Sequence, residues 1–457
     1  MNITPERQDK WQLLQKYAMN APRYTSYPPF PFWKGLTNQE AWRNSLKSNL
    51  LHTPEGIDLY IHIPFCDTLC YFCGCNKLIT KDKTRSDKYI LAVAKEWRLY
   101  LDSLGDIKIN SLHFGGGTPS FLTPTQMSQL LDNFKPHFTQ SFIGSIEIDP
   151  REFDVELLDV LKEYGFSRLS FGVQDFDPQV QESVNRIQPF SLVEKLTSEI
   201  RKRKFDSLNF DLIYGLPHQT IKNNQRTVEQ VIELEPDLIA FYLYAHLPAK
   251  IKVQKAIPEQ FLPTKEVKFE IFENACKLFN KNDYHSIGLD HFAKSSSFLY
   301  QAKKNNKLYR NFMGYVDKKS RILLGLGVSA ISNSSDHFIQ NEKVLNDYYE
   351  RIDKNELPFY YGHTLSETDK IIDKIIQDIM CNYEADISLI NKEQFTADFI
   401  HFSHKELDQL KQDELISIDK DELKVTGRGE DFLRNIARCF DSHLFEKSEQ
   451  IRFSRTH

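Results

Sequence analysis

The sequence predicts an α/β fold centred on a closed or partial barrel of six βα units, and three observations carry that prediction. From Gly56 onward, β-like runs alternate with amphipathic helix-like runs. Polar residues gather at the C-terminal ends of the β-like runs, the face on which such barrels build their sites. After about residue 365 the alternation gives way to helical spacing.

The six β-like runs cover residues 57–63, 109–114, 144–149, 167–173, 207–214 and 237–244. Between them, residues 87–104, 123–138, 154–164 and 191–204 carry helical periodicity, with Thr123 as an N-cap and Pro124 at the first helical position. Parallel neighbours need a crossover helix, so units in this succession imply a parallel sheet. A seventh run, residues 284–288, leads to Asp290 and His291 and is expected to extend it. Residues 325–330, Gly-Leu-Gly-Val-Ser-Ala, mimic a dinucleotide fingerprint without a supporting βαβ pattern; they read as a tight turn leading to Ile331. Farther on, residues 369–382 and 405–412 read as helices, 415–419 and 422–426 as a short hairpin, and 430–445 as a helix. The expected organisation is a segment covering the barrel mouth (1–54), the barrel and its extension (55–364), and a helical, winged-helix-like domain (365–457).

A chain of 457 residues has room for two or three domains, and 40% apolar against 26% charged residues marks it as globular. The net charge of -5 is too balanced for a nucleic-acid backbone or an anionic membrane. No apolar run approaches a bilayer span and the start has no signal-like apolar stretch, so a cytoplasmic location without a membrane span is expected.

Of seven cysteines, Cys66, Cys70, Cys73 and Cys75 crowd the loop after the first run, in Cys-x3-Cys-x2-Cys spacing with Cys75 beyond. A disulfide framework would spread its cysteines; this crowd reads as metal-binding or catalytic. Three thiolates from one loop can each hold one iron of a [4Fe-4S] cube and leave the fourth iron open for chemistry. The alternative is a four-cysteine zinc site using Cys75, against which stands the cramped Cys73-x-Cys75 bite.

That loop, with residues 22–28 (Pro-Arg-Tyr-Thr-Ser-Tyr-Pro), 147–152 (Glu-Ile-Asp-Pro-Arg-Glu), 168–176, 211–217, 244–248 and 290–293, resembles the oxygen-independent coproporphyrinogen III oxidase family of the radical S-adenosylmethionine (SAM) superfamily. The resemblance runs nearly end to end. It implies a partial (β/α)6 radical SAM barrel with an N-terminal strap and a mostly helical C-terminal domain. It further implies a [4Fe-4S] cluster on Cys66, Cys70 and Cys73, with SAM chelating the open iron. The positions matching Tyr60, Gly116, Glu147, Ala245 and Ile331 contact that first molecule. Those matching Phe72, Gly117, Thr118, Gln174, Arg186 and Asp211 contact a second. Glycines at 115–117 permit close backbone approach, a carboxylate suits ammonium or ribose hydroxyls, and an arginine suits a carboxylate.

The implied reaction takes a hydrogen from a propionate β-carbon of coproporphyrinogen III by a 5'-deoxyadenosyl radical. Loss of carbon dioxide and one electron then leaves a vinyl group, and two propionates react in turn. A flavodoxin or ferredoxin is the implied electron donor, and a monomer is expected. Arg23 and Tyr24 are candidate substrate contacts; packing of the strap's aromatics on the barrel is the plainer reading of the same residues. The chain carries Met313 and Leu243 where the family usually has amides. A heme-binding chaperone or another tetrapyrrole-acting paralogue is the competing family reading.

Overall fold

The computed structural model describes residues 5–35, 38–391, 394–447 and 453; the outer ends of the expected segments 1–54 and 365–457 lie outside them. The strands of the main sheet are β1 (Ile57–Ile63), β2 (Ile109–Gly116), β3 (Phe138–Ile148), β4 (Phe166–Gln174), β5 (Ser207–Tyr214), β6 (Leu238–Leu243), β7 (Tyr284–Gly288), β8 (His291–Lys294), β9 (Leu323–Leu326), β10 (Ile331–Asn333), β11 (His337–Asn341) and β12 (Phe359–Thr364). Their order is β12-β11-β10-β9-β1-β2-β3-β4-β5-β6-β8-β7. β1 to β6 are consecutive and parallel, as the alternation predicts, and the order is open, a partial barrel.

The six strands form where β-branched and aromatic residues recur. β1 is buried on both faces except at Tyr60, the pattern of a parallel strand covered by helices. The helix Arg85–Leu104 turns Tyr89, Val93, Trp97 and Tyr100 inward at helical spacing, each essentially fully buried. Each of these contributes roughly 2–3 kcal/mol of burial. Gly105, at φ 85°, ends it.

Three expectations need correction. The helix predicted over residues 123–138 keeps its Thr123 capping box but spans Pro124–Leu131, because Pro136 disfavours helix before it and Phe138 opens β3. The turn predicted over residues 325–330 is half strand: β9 pairs parallel with β1, Gly325 opposite Tyr60, and the turn begins at Gly327. The helix predicted over residues 430–445 is broken into Glu430–Phe432, Leu433–Arg438 and Ser442–Lys447. The run 284–288 does extend the sheet, as the outer strand β7 paired with β8. The expected hairpin is joined by Glu384–Asp386 in a three-stranded sheet.

Two hydrophobic cores result. One fills the barrel and its helices. The other joins Leu13, Tyr17, Tyr24 and Tyr27 to Ile372, Ile376, Leu433 and Phe440, so the N-terminal segment packs with the C-terminal one. No helix among the described residues is long and apolar enough to cross a membrane.

Candidate active site

Pro64 ends β1, and Phe65–Cys66 pairs with Leu78–Ile79 to close the base of the cysteine loop. The ladder is tight: Leu78 N–H donates to Pro64 O at 2.6 Å and Thr80 N–H to Cys66 O at 2.9 Å. The loop is then pinned from outside. Tyr71 N–H donates to Val184 O (3.0 Å) and Asn185 Nδ2 to Leu69 O (2.8 Å). Gln254 Nε2 donates to Phe72 O (3.1 Å) and Ala245 O (3.2 Å), tying the loop to the segment after β6. His62 Nε2 contacts Asn76 O at 2.9 Å.

Cys66 and Cys70 are buried, Cys73 is half-buried and Cys75 is exposed. Burial pushes the Cys66 thiol up to about 11, against a hydrogen bond from Thr118 Oγ1 at 3.3 Å. The Cys75 side chain, hydrogen-bonded to Cys73, pulls Cys73 down, and Lys77 adds to it. Cys70 receives Arg151 Nη2 at 3.4 Å and Arg186 Nη1 at 3.5 Å. Among the described residues, no three His, Cys, Asp or Glu side chains converge on a single ion. Soft sulfurs on one short loop, each met by a donor that favours thiolate, fit a cluster taking one thiolate per iron.

Around this loop the strand ends supply the remaining candidates. Tyr60 stacks on His113 with ring centroids 6.0 Å apart, and His113 Nε2 lies 3.5 Å from the half-exposed Glu147. Asp211 accepts from Asn209 Nδ2 (2.9 Å) and Ser170 Oγ (3.2 Å). Burial first, and the charge of Glu147 second, push Asp211 up to about 7. Gln174, at φ 65°, ends β4, and Ile331 opens β10 beyond the turn.

Two expectations are refined here. The glycines make room for the protein itself. A Cβ on Gly116 would lie 2.6 Å from the His62 ring, at φ 113°, and one on Gly117 would lie 2.7 Å from the Pro64 carbonyl. Arg186, expected to meet a cofactor carboxylate, gives its donors to Gly172 O (2.5 and 3.1 Å), Asp149 (3.1 Å) and Cys70.

Beside this face lies a cavity of about 1130 Å³, lined among others by Arg23, Leu243, Ala245, Lys268, Asp290 and Arg434. Arg23 forms an ion pair with Asp290 in its wall. Tyr24 turns the other way: it is buried, and its hydroxyl donates to Asp441 at 3.0 Å. His291 is pushed down to about 3, chiefly by burial and then by Arg310 and Arg23, so it is neutral. Met313 lines a separate cavity of about 170 Å³ with His113, Ser170 and Arg168. Sequence reasoning missed the contact of Arg151 with Cys70, although Arg151 stands in a quoted motif, and missed Gln254, which no motif marks.

The Radical SAM superfamily model matches residues 60–231. The chain is 38% identical to the oxygen-independent coproporphyrinogen III oxidase of Salmonella typhimurium over 98% of its own length and 99% of the relative's. It is 39% identical to that of Synechocystis, with 97% of each chain covered. The crystallised coproporphyrinogen III oxidase of Escherichia coli, described as a radical SAM enzyme, superposes with a TM-score of 0.88 at 36% identity, covering 95% of this chain and 99% of that one.

Proposed function

Because the chain belongs to the oxygen-independent coproporphyrinogen III oxidases of the radical SAM superfamily, we propose that it decarboxylates two propionates of coproporphyrinogen III to vinyl groups, giving protoporphyrinogen IX for heme formation. The observation that carries this reading is the three-thiol loop, braced by Val184, Asn185, Gln254 and His62 and tied through Gln254 to Ala245 in the wall of a cavity large enough for a tetrapyrrole.

Cys66, Cys70 and Cys73 would hold a [4Fe-4S] cluster, which with SAM supplies a radical able to abstract an unactivated hydrogen. Tyr60, Gly116, Glu147, Ala245 and Ile331 would bind the SAM on the open iron; Phe72, Gly117, Thr118, Gln174, Arg186 and Asp211 are assigned to a second molecule. Arg186 enters that role already committed to Asp149 and Cys70, so its contribution is a fixed positive charge. Burial and the charge of Glu147 raise the Asp211 carboxyl, and a protonated Asp211 would offer a hydrogen-bond donor to the bound molecule. Arg23 stands in the cavity wall to receive a substrate carboxylate in place of Asp290. The strap and the segment after β6 exclude water from the reacting carbon. Each propionate loses one hydrogen atom, carbon dioxide and one electron; a flavodoxin or ferredoxin supplies the electron that starts each turnover.

Anaerobic reconstitution with iron and sulfide, then addition of SAM, reductant and coproporphyrinogen III, tests this by mass spectrometry. Two deoxyadenosines per protoporphyrinogen are expected. Deoxyadenosine without protoporphyrinogen overturns the substrate and keeps the radical chemistry.

A further inference from the structure

The guanidinium of Arg151 lies against the sulfur of Cys70, and nothing in the assigned machinery uses it. Its hydrogen bonds go to Asp149, to Cys70 and to the Asn185 carbonyl. Asp149 holds it in place. Oδ1 takes the Arg151 backbone N–H at 3.1 Å and Nε at 3.0 Å, and Oδ2 takes Nη2 at 2.6 Å. Asp149 is itself anchored, its N–H donating to Ser120 Oγ at 3.2 Å where the 3-10 turn Pro150–Glu152 begins. Burial alone would raise its carboxyl; Arg186 and Arg151 more than offset that and hold it well below the usual carboxylate range, so it stays charged.

The donors to the three thiols are unequal. Cys66 meets a neutral hydroxyl and Cys73 a thiol with one ammonium, Lys77, whereas Cys70 meets two guanidinium groups. Hydrogen bonds to a ligating sulfur withdraw electron density and favour the reduced, more negative cluster, and a charged donor does so more strongly than a neutral one. Arg151 at 3.4 Å from one sulfur would therefore raise the reduction potential of a cluster held there.

We propose that Arg151, fixed by Asp149, tunes the reduction potential of the cluster through its hydrogen bond to Cys70 Sγ. It is a positioning and tuning residue, touching neither substrate nor SAM and transferring no electron. This rests on the reading of the loop as a cluster site.

The test uses the full chain reconstituted anaerobically, with its midpoint measured by titration followed by electron paramagnetic resonance, without SAM. Arg151→Gln is expected to lower the reduced-to-oxidised ratio at fixed reductant about tenfold, a shift of about 59 mV for one electron. Arg151→Lys should fall between it and the wild type. Deoxyadenosine formation by Arg151→Gln should drop further with reduced flavodoxin than with dithionite, since only the weaker reductant senses the shift. Arg151→Gln with full iron content and an unchanged midpoint overturns the proposal; if that variant does not retain iron, Arg151→Lys at the wild-type midpoint overturns it. A wild-type chain that takes up no iron and sulfide overturns the cluster reading beneath it, which is a separate failure.

Discussion

Position 116 illustrates how little room the site leaves. A methyl group there meets a ring that itself contacts Asn76 at the end of the cysteine loop, and φ 113° is strained for any side chain. Gly116→Ala should therefore cost roughly 2 kcal/mol or more and lower the iron content after reconstitution. Gly74→Ala, whose Cβ would meet only the tip of the Ile251 side chain, should unfold within about 0.5 kcal/mol of the wild type. Thermal unfolding of the two variants makes the comparison. The departures from the family pattern separate in the same way. Leu243 lines the large cavity and Met313 the small one, so Leu243→Asn should change KM for coproporphyrinogen several-fold while leaving SAM affinity alone. A KM shift from Met313→Gln instead would move the substrate to the barrel interior.

At the scale of elements, the turn between β9 and β10 is held by an acid from the opposite helix. Glu96, fully buried on Arg85–Leu104, accepts from Gly327 N–H (2.8 Å), Asn341 Nδ2 (2.7 Å) and Tyr348 Oη (2.8 Å). Burial outweighs these bonds and pushes its carboxyl up to about 7 from an ordinary 4.5. A folded value above the unfolded one means the native state keeps a proton that the unfolded chain has lost. Stability should thus fall by about 3 kcal/mol as pH rises from about 4.5 to 7 and level off above. Glu96→Gln should flatten that part of the profile in denaturant titrations; an unchanged slope would assign it to other groups. The six strands and their order of use were legible because period-two and period-3.6 patterns are local. The β9 strand was not, since three leucines interrupted by a glycine and followed by another read equally well as a turn, and only pairing with β1 decides. The cysteine loop was legible from spacing alone, whereas its braces, Gln254 and Arg151, act across chain separations of 182 and 81 residues that no local pattern records.

The whole molecule depends on the strap's attachment to the far end of the chain. Tyr24 and Tyr27 both donate to Asp441, at 3.0 and 3.4 Å, and Asn435 Nδ2 donates to Tyr17 O at 2.8 Å. These bonds lie in the second core, which meets the sheet at Leu238, Ile287 and Ala293, and they hold Arg23 at the cavity wall between two buried neighbours. Asp441→Ala leaves the buried Tyr24 hydroxyl without its acceptor, at about 1–3 kcal/mol before relaxation, and leaves Tyr27 Oη with Ser442 Oγ at 3.1 Å. The barrel core shares none of these residues. The variant should therefore keep its iron and its SAM affinity while KM for coproporphyrinogen rises about tenfold and trypsin gains access to the bond after Arg23. Limited proteolysis followed by mass spectrometry reads the last point directly. Loss of iron together with the strap would mean that the two cores fold as one unit, and an uncut strap with unchanged KM would mean that the Tyr-Asp bonds do not hold it.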